Sequence, residues 1–591
     1  MKFIDVISPF LAWSRAARKA DTIPYPLKRN PGSARYRGFH LNDPDKCIGC
    51  GRCEEICQNL AIGMVMTENS DTSRGDSGLR PLVDYGRCCW CALCVDVCST
   101  GSLSLSNSYS WATFNADTCA YIPGEDAKAW DNSTGGYRQD NSVLQWAGSP
   151  RVDMPEIEPE ERVRSFEEVI RGYSPEQAVA EASRCIQCGL CVSACPAHMH
   201  IPDYLKAIAD GNFARAVNLF YDNNPLPEMC GKVCTRECES VCAMGYQGEA
   251  IAIRWLKRFA CEQFESLSDV LAVDEKPLEP SGRTVAVIGA GPAGLSAAYY
   301  LSRMGFVTHV YDRNGEGGGV ARYAIPEYRL PAAGDEKQMD VFRAVGVNFH
   351  FNVEVTGDDI LKMSDDYDAV FFAVGLQKSS DFKIQGFDLP GVKHAFYFLT
   401  SHPEDGKMEV GSRVIVIGGG NVAMDTARTC RRLGAEVIVS YRRRIEDMPA
   451  DVEEINDAVA ERIDIRSKTI PERIEESDSG LRYIYVEAKM VDDPDGGRPK
   501  PVRKDDIEHD IEADTIFLAI GQSSETGILP DEISEKLKIK WGRIEVDEHQ
   551  FTGVRNLYAG GDITPGAGDI ITAIADGMRA AEAIAESLRR T

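Results

Sequence analysis

Residues Thr284–Gly305 read TVAVIGAGPAGLSAAYYLSRMG. The stretch opens as an apolar strand, turns on glycine and continues as an alanine-rich helix. Gly289, Gly291 and Gly294 give G-x-G-x-x-G. The first glycine permits a tight turn, the second lets a pyrophosphate approach the backbone, and the third lets helix pack on strand. The helix N-terminus then faces phosphates with free N–H groups. An acid about 20 residues on should hold a ribose hydroxyl, and THVYD, ending at Asp312, offers it. Glycines alone would be a weak signal; strand, turn, helix and acid together predict an α/β dinucleotide-binding domain.

The pattern recurs at Ser412–Gly434, SRVIVIGGGNVAMDTARTCRRLG, where Gly418, Gly420 and Ala423 give G-x-G-x-x-A and Asn421 opens the helix. The next strand, AEVIVSYRRR, ends on Arg442, Arg443 and Arg444 rather than on an acid. Guanidinium groups there suit a 2′-phosphate, which favours NADPH. A solvated basic turn in an NADH enzyme is the alternative. Further motifs flank the two sites: GGGVARYAIPEYRLP with Gly317, Gly318, Gly319 and Arg322, DAVFFAVG ending at Gly375, DTIFLAIGQ, and GVRNLYAGGDITPGAGDIITAIADG with Gly561 and Asp562.

Of 20 cysteines, all but Cys89, Cys119, Cys261 and Cys430 fall into four tight groups. Disulfide frameworks belong to short secreted chains; gaps of two and three residues in a 591-residue chain suit thiolates converging on metal. Cys47, Cys50, Cys53 and Cys57 read C-x2-C-x2-C-x3-C, and Cys88, Cys91, Cys94 and Cys98 repeat it. Three cysteines of such a run hold one 4Fe–4S cluster, and the fourth ligates the other. This assigns Cys47, Cys50, Cys53 and Cys98 to one cluster and Cys88, Cys91, Cys94 and Cys57 to the second. Zinc prefers two pairs across a longer loop. Bacterial ferredoxins place proline after the fourth cysteine; Gln58 and Ser99 stand here. The third group, Cys185, Cys188, Cys191 and Cys195, keeps the spacing and is followed by Pro196. The fourth, Cys230, Cys234, Cys238 and Cys242, is spaced C-x3-C-x3-C-x3-C. Ser174, Pro175 and Gln177 form a capping box before the third group.

Three resemblances follow from these motifs. TIPYPLKRNPGSARYRGFHLNDPDKCIGC and YGRCCWCALCVDVC resemble the ferredoxin-type subunit of respiratory complex I and of related hydrogenase and formate-oxidising complexes, over about residues 22 to 107. The third and fourth cysteine groups resemble the helical N-terminal domain of the small (β) subunit of glutamate synthase. There the resemblance implies Cys185, Cys188, Cys191 and Cys242 on one cluster and Cys195, Cys234 and Cys238 on the other. It leaves the eighth ligand to Cys230 or Glu249. The two glycine turns with their flanks resemble the same small-subunit branch of the pyridine nucleotide-disulfide oxidoreductase superfamily, over about residues 165 to 591. That resemblance implies FAD on the first turn, held by Gly289, Gly291, Gly294, Asp312, Gly318, Gly319, Arg322, Gly375, Gly561 and Asp562. It implies a nicotinamide on the second, held by Gly418, Gly420, Asn421, Ala423, Arg442 and Arg443.

The expected architecture is a multidomain α/β plus α+β chain. A ferredoxin-like domain with two clusters occupies 1–110, a polar connector 111–164 and a helical two-cluster domain 165–265. The FAD domain takes 280–395 and 513–591, with the NAD(P) domain, 396–512, inserted in it.

Lys plus Arg total 65 against 91 Asp plus Glu, a formal net charge of −26, which argues against nucleic acid and anionic lipid as partners. No run of 18 apolar residues predicts a membrane span, and MKFIDVISPFLAW lacks a signal-peptide cleavage site. A reducing cytoplasm is the expected compartment. Neither dinucleotide domain carries C-x-x-C, which argues against a disulfide relay of the thioredoxin-reductase type. No general acid or base stands out, so no catalytic side chain is assigned. His198 and His200 read as packing residues.

A nicotinamide moves a hydride, a cubane one electron, and flavin mediates between them. The expected activity is therefore an NAD(P)H:acceptor oxidoreductase with FAD, NADPH (or NADH) and four 4Fe–4S clusters. It would act as a subunit of a hetero-oligomer. The partner is expected to be ferredoxin, a hydrogenase, a 2-oxoacid or aldehyde oxidoreductase, or a reductase. The competing function is a small subunit feeding NADPH electrons to a separate glutamate-synthesising amidotransferase; the N-terminal ferredoxin module counts against it. A scaffold with vestigial sites is disfavoured by the intact glycine motifs. Electron bifurcation depends on flavin potentials, which a sequence does not carry.

Overall fold

The computed structural model describes residues 13, 30, 32–67, 76–133, 135–139, 150–246, 248–271, 279–331, 333–380, 384–401, 409–493, 497–564 and 568–590. The chain divides into two compact units, residues 1–149 with 246–248, and residues 150–245 with 249–591.

In the first unit two short helices, Arg52–Glu55 and Leu93–Asp96, each follow a cysteine loop. Gly51 and Ala92, the residues before them, take left-handed backbone at φ 75° and 70°, the local conformation that bends each loop back on itself. Strand Ile62–Met66 pairs antiparallel with Leu79–Asp84, which in turn pairs with Ala120–Tyr121. The repeat is an α+β ferredoxin pattern. Residues 111–139, expected as connector, instead pack into this unit: Tyr121, Trp130 and Tyr137 lie in its core, with Trp111 against them. Phe39 and Trp130 stack at 4.1 Å between ring centroids. Aromatic burial of this kind contributes more per residue than any aliphatic one.

The second unit opens with helices. Ser174 caps Pro175–Ala182 with the reciprocal Gln177 bond of a capping box. Helices Leu190–Ala194, Ile201–Ala209, Phe213–Tyr221, Pro227–Val233 and Ile253–Glu262 follow. Pro202 and Pro227 sit in first turns, where no N–H is needed.

Two parallel sheets complete the unit. The first runs Leu557–Ala559, Ala369–Phe372, Thr284–Ile288, Val307–Asp312, Asn348–Phe351 in spatial order. The strand order reverses between Thr284–Ile288 and Ala369–Phe372, so a crevice opens at their C-terminal ends. The second sheet runs Val392–His394, Thr515–Leu518, Arg413–Ile417, Glu436–Tyr441, Asp464–Ser467. A three-stranded antiparallel sheet, Thr469–Ser477, Gly480–Val491 and Lys500–Ala513, follows its last edge strand. The chain returns to the first sheet at Leu557–Ala559. The C-terminal helix Ile570–Arg590 then packs on Pro292–Arg303, where Ser296 donates to the Ile574 carbonyl at 2.7 Å.

Candidate cluster and dinucleotide sites

None of the 20 cysteines is in a disulfide. In the first unit, burial and then Cys50, Cys47, Cys94 and Cys98 push the Cys53 thiol far above its ordinary range. Burial and then Cys88, Cys91 and Cys57 push Cys94 up to about 12. Cys98 is thus among the charges that act on Cys53, as is Cys94, and Cys57 is among those that act on Cys94. Buried thiols whose charges oppose one another this way call for cations between them. Among the described residues, no three such side chains converge tightly enough for one metal ion. Four cysteines to a group are the donor set that a 4Fe–4S cluster takes. His40, fully buried, lies against the second loop: its Nε2 is 3.2 Å from Cys94 Sγ. Burial lowers its pKa to about 4.

In the helical domain Cys185, Cys188, Cys191 and Cys242 line one enclosed cavity, walled by Ile186, Leu205, Met244 and Ile253. This is the crossed grouping expected above. Cys195, Cys230, Cys234 and Cys238 gather around the buried ammonium of Lys257; burial lowers its pKa, and these four thiols more than offset that. Cys230 therefore stands among these four thiols, and the Glu249 carboxylate accepts from the Arg151 backbone N–H at 2.9 Å.

The dinucleotide crevice is a cavity of about 310 Å³. Gly289, at φ 105°, makes the turn. Asp312 reaches back to it: Oδ2 accepts from Ala290 N at 2.7 Å and Oδ1 from Asn314 N at 2.8 Å. Gly291 precedes helix Pro292–Arg303 with no side-chain cap, leaving the first N–H groups for a ligand. The Gly318 N–H donates to the Ala290 carbonyl at 2.8 Å, and a Cβ on Gly319 would sit 2.8 Å from Gly291 Cα. Gly319, Gly375, Gly561 and Asp562 border the cavity. Arg322 does not; it pairs with Glu316 at 2.6 Å. Burial, and then Asp569 and Asp576, raise the Asp562 carboxyl despite Arg543. The Gln522 amide lines the cavity with its Nε2 buried and unpartnered. A glycine cradle, free helix N–H groups and an unused amide donor fit a dinucleotide such as FAD.

Asn421, Val422 and Asp425 enter the same cavity from the second domain. There Gly418 turns at φ 150°, and Ala423 is fully buried within helix Asn421–Arg432. The three arginines part company. Arg444 pairs with Asp447 at 2.8 and 2.9 Å, and Arg443 Nε donates to the Pro499 carbonyl at 2.9 Å. Arg442 is exposed at the end of strand Glu436–Tyr441.

Two features had no signal in the sequence. Val233 and Thr235, the neighbours of Cys234, line the dinucleotide cavity. A buried ion-pair group also ties the inserted domain to the rest of the unit. Arg428 binds Glu461 at 2.8 Å and Glu454, and Arg432 binds Glu461 at 2.8 Å. Arg162 reaches Asp457 and Glu461, each at 3.0 Å. Arg329 holds Asp425 at 2.7 Å and Glu454 at 2.7 Å. Arg236 and Arg254, from the cluster segment, reach Asp451 at 2.7 Å and Glu453 at 2.5 Å.

Residues 283–581 match the family described as pyridine nucleotide-disulphide oxidoreductase. Residues 162–268 match dihydropyrimidine dehydrogenase domain II, 4Fe-4S cluster, and residues 42–63 a 4Fe-4S binding domain. The chain is 31% identical over 586 residues to the oxidoreductase AegA of Escherichia coli (strain K12), covering 92% of this chain and 86% of that protein. It is 33% identical over 470 residues to the glutamate synthase (NADPH) small chain of the same strain, covering 75% of this chain and 98% of that one. It is 35% identical over 433 residues to the NADP(+)-dependent formate dehydrogenase subunit beta of Moorella thermoacetica, covering 68% and 60%.

Proposed function

The chain belongs to the pyridine nucleotide-disulphide oxidoreductase family as an iron–sulfur flavoprotein oxidoreductase, and we propose that it links NADPH to a partner redox protein through FAD and four 4Fe–4S clusters. When bound, the flavin exchanges a hydride with the nicotinamide and single electrons with clusters. The observation that carries this reading is the place of Cys234: Val233 and Thr235, on either side of it, form part of the dinucleotide cavity wall.

The residues divide the work. Gly289, Gly291, Gly319 and the free N–H groups after Gly291 receive the FAD phosphates, and Asp312 holds a ribose. Gln522 offers its amide, and Asp562 borders the crevice. Asn421, Val422 and Asp425 present the nicotinamide side. Arg442, the arginine of the three without a partner described above, takes the 2′-phosphate. Cys195, Cys230, Cys234 and Cys238 hold one cluster of the helical domain, and Cys185, Cys188, Cys191 and Cys242 the other. In the first unit the sets are Cys47, Cys50, Cys53, Cys98 and Cys57, Cys88, Cys91, Cys94.

The partner class is a ferredoxin or a catalytic subunit of a larger complex, in keeping with relatives named as small chain and subunit beta. The cytoplasm is the compartment proposed, since sixteen thiols in cluster-forming loops need a reducing one. No helix of the described residues is long and apolar enough to cross a membrane.

Anaerobic titration with NADPH and, in parallel, NADH tests the reading, with flavin absorbance and cluster EPR followed together. NADPH is expected to bleach the flavin before cluster signals grow. Bleaching by NADH alone would overturn the role of Arg442. A bleached flavin with silent clusters would overturn the electron route.

A further inference from the structure

Strand His40–Asn42 pairs antiparallel with Leu103–Leu105 beside the second cysteine loop of the first unit. His40 is only 2% exposed, and each of its ring nitrogens has a neighbour. Nε2 lies 3.2 Å from Cys94 Sγ and Nδ1 lies 2.8 Å from the Tyr85 hydroxyl. The surrounding hydroxyls decide which nitrogen carries the proton. Trp130 Nε1–H donates to the Tyr121 oxygen at 3.0 Å, and Tyr121 spends its own proton on the His40 carbonyl at 2.8 Å. Tyr121 therefore has none to give Tyr85, which stands 3.1 Å away. The Tyr85 oxygen already accepts the His40 backbone N–H at 2.7 Å. Its single proton then goes to the nearer acceptor, Nδ1, which leaves the imidazole proton on Nε2. The other tautomer would set a bare nitrogen lone pair against the sulfur, which repels once that sulfur is a thiolate.

We propose that His40 is a positioning residue for electron transfer, donating Nε2–H to the Cys94 sulfur and raising the reduction potential of the cluster held by Cys57, Cys88, Cys91 and Cys94. The proposal rests on the reading above that these four thiols hold a cluster. An N–H directed at a ligand sulfur stabilises the more negative, reduced state. Burial strengthens the effect, because little solvent screens it. The chain Trp130–Tyr121–Tyr85 fixes the ring from behind, so the donor is set before an electron arrives. Each member is rigid, aromatic and in the core of the unit.

The experiment uses the full chain, loaded anaerobically and labelled with 15N-histidine. Iron content and an EPR-monitored redox titration are measured for wild type, His40→Leu, His40→Gln and Tyr85→Phe. His40→Leu is expected to shift the midpoint of one cluster to lower potential and leave the other three in place. His40→Gln, which keeps an N–H near Nε2, is expected to restore most of the shift. Tyr85→Phe, which frees the tautomer, is expected to lower the midpoint by less. Pulsed EPR of the reduced wild type is expected to show a 15N coupling that His40→Leu loses. An unchanged midpoint in His40→Leu at full iron content overturns the proposal. Should His40→Leu fail to load, the wild-type 15N coupling decides: its presence supports the bond and its absence overturns it. A Cys88→Ser variant with unchanged iron content and EPR overturns the cluster reading itself, and this proposal with it.

Discussion

The Thr235 hydroxyl donates to the Asp569 carboxylate at 2.8 Å across 334 residues of chain. Thr235 follows Cys234, and Asp569 caps the C-terminal helix, its Oδ1 accepting from Thr572 N at 2.8 Å. One bond therefore fixes a cluster loop to the helix that borders the dinucleotide crevice. Thr235→Val is expected to slow cluster reduction about fivefold, the equivalent of one hydrogen bond of about 1 kcal/mol. Flavin bleaching should keep its rate. Stopped-flow absorbance resolves the two phases, and equal slowing of both would sink the idea.

Cys230 completes the thiol set around Lys257, while Glu249 is engaged by Arg151. Cys230→Ser is expected to lose one cluster, seen as a fall of about four irons per chain. Glu249→Gln should keep the full iron content. The reverse result would transfer the ligand role to the glutamate.

Arg442 differs from its neighbours in being uncommitted. Arg442→Ala is expected to raise the KM for NADPH roughly tenfold to hundredfold, the loss of a charge-assisted bond of about 1.5–3 kcal/mol. The KM for NADH should stay the same. Arg443→Ala should cost less, since its Nε already serves the Pro499 carbonyl. Steady-state kinetics with both nucleotides provide the check.

Gly319 sits at φ 57°, and a Cβ there would come 2.8 Å from Gly291 Cα. The clash falls on backbone at the crevice, where nothing can give without closing the pyrophosphate approach. Gly319→Ala is expected to abolish FAD retention through gel filtration. Full flavin-to-protein stoichiometry in the variant would contradict the cradle.

Glu461 is fully buried between Arg428, Arg432 and Arg162. Burial alone would favour its neutral acid; Arg428 and Arg432 outweigh that and hold the carboxyl below its usual range. Its folded pKa thus lies below the unfolded one, about 4.3. The stabilisation is whole above that value and fades as pH falls through the folded pKa. Glu461→Gln, which strands buried guanidinium charge, is expected to cost about 3–5 kcal/mol at neutral pH. Differential scanning calorimetry should show this as a lower apparent Tm. The gap between wild type and variant should narrow only below about pH 4.3.

Much of this was legible in the sequence, because glycine and cysteine act locally. The turns at Gly289 and Gly418 and the capping box at Ser174–Gln177 follow from spacing alone. The packing of 111–139 was not legible. Trp111, Tyr121, Trp130 and Tyr137 are scattered among polar residues without period, yet four aromatics suffice to hold a loop in a core. The three arginines were also indistinguishable. Which of them is free depends on Pro499 and Asp447, one distant in sequence and one in the next turn. The contact between Thr235 and Asp569 is tertiary and leaves no trace in either local sequence.

The proposed exchange of fourth thiols in the first unit would have a consequence for supply. With Cys98 serving the first loop and Cys57 the second, neither loop could finish its centre until both had folded. Loss of one loop would empty two sites. A cell short of iron would then hold this unit either fully charged or bare, and a half-wired carrier, able to accept an electron but not to pass it on, would not accumulate.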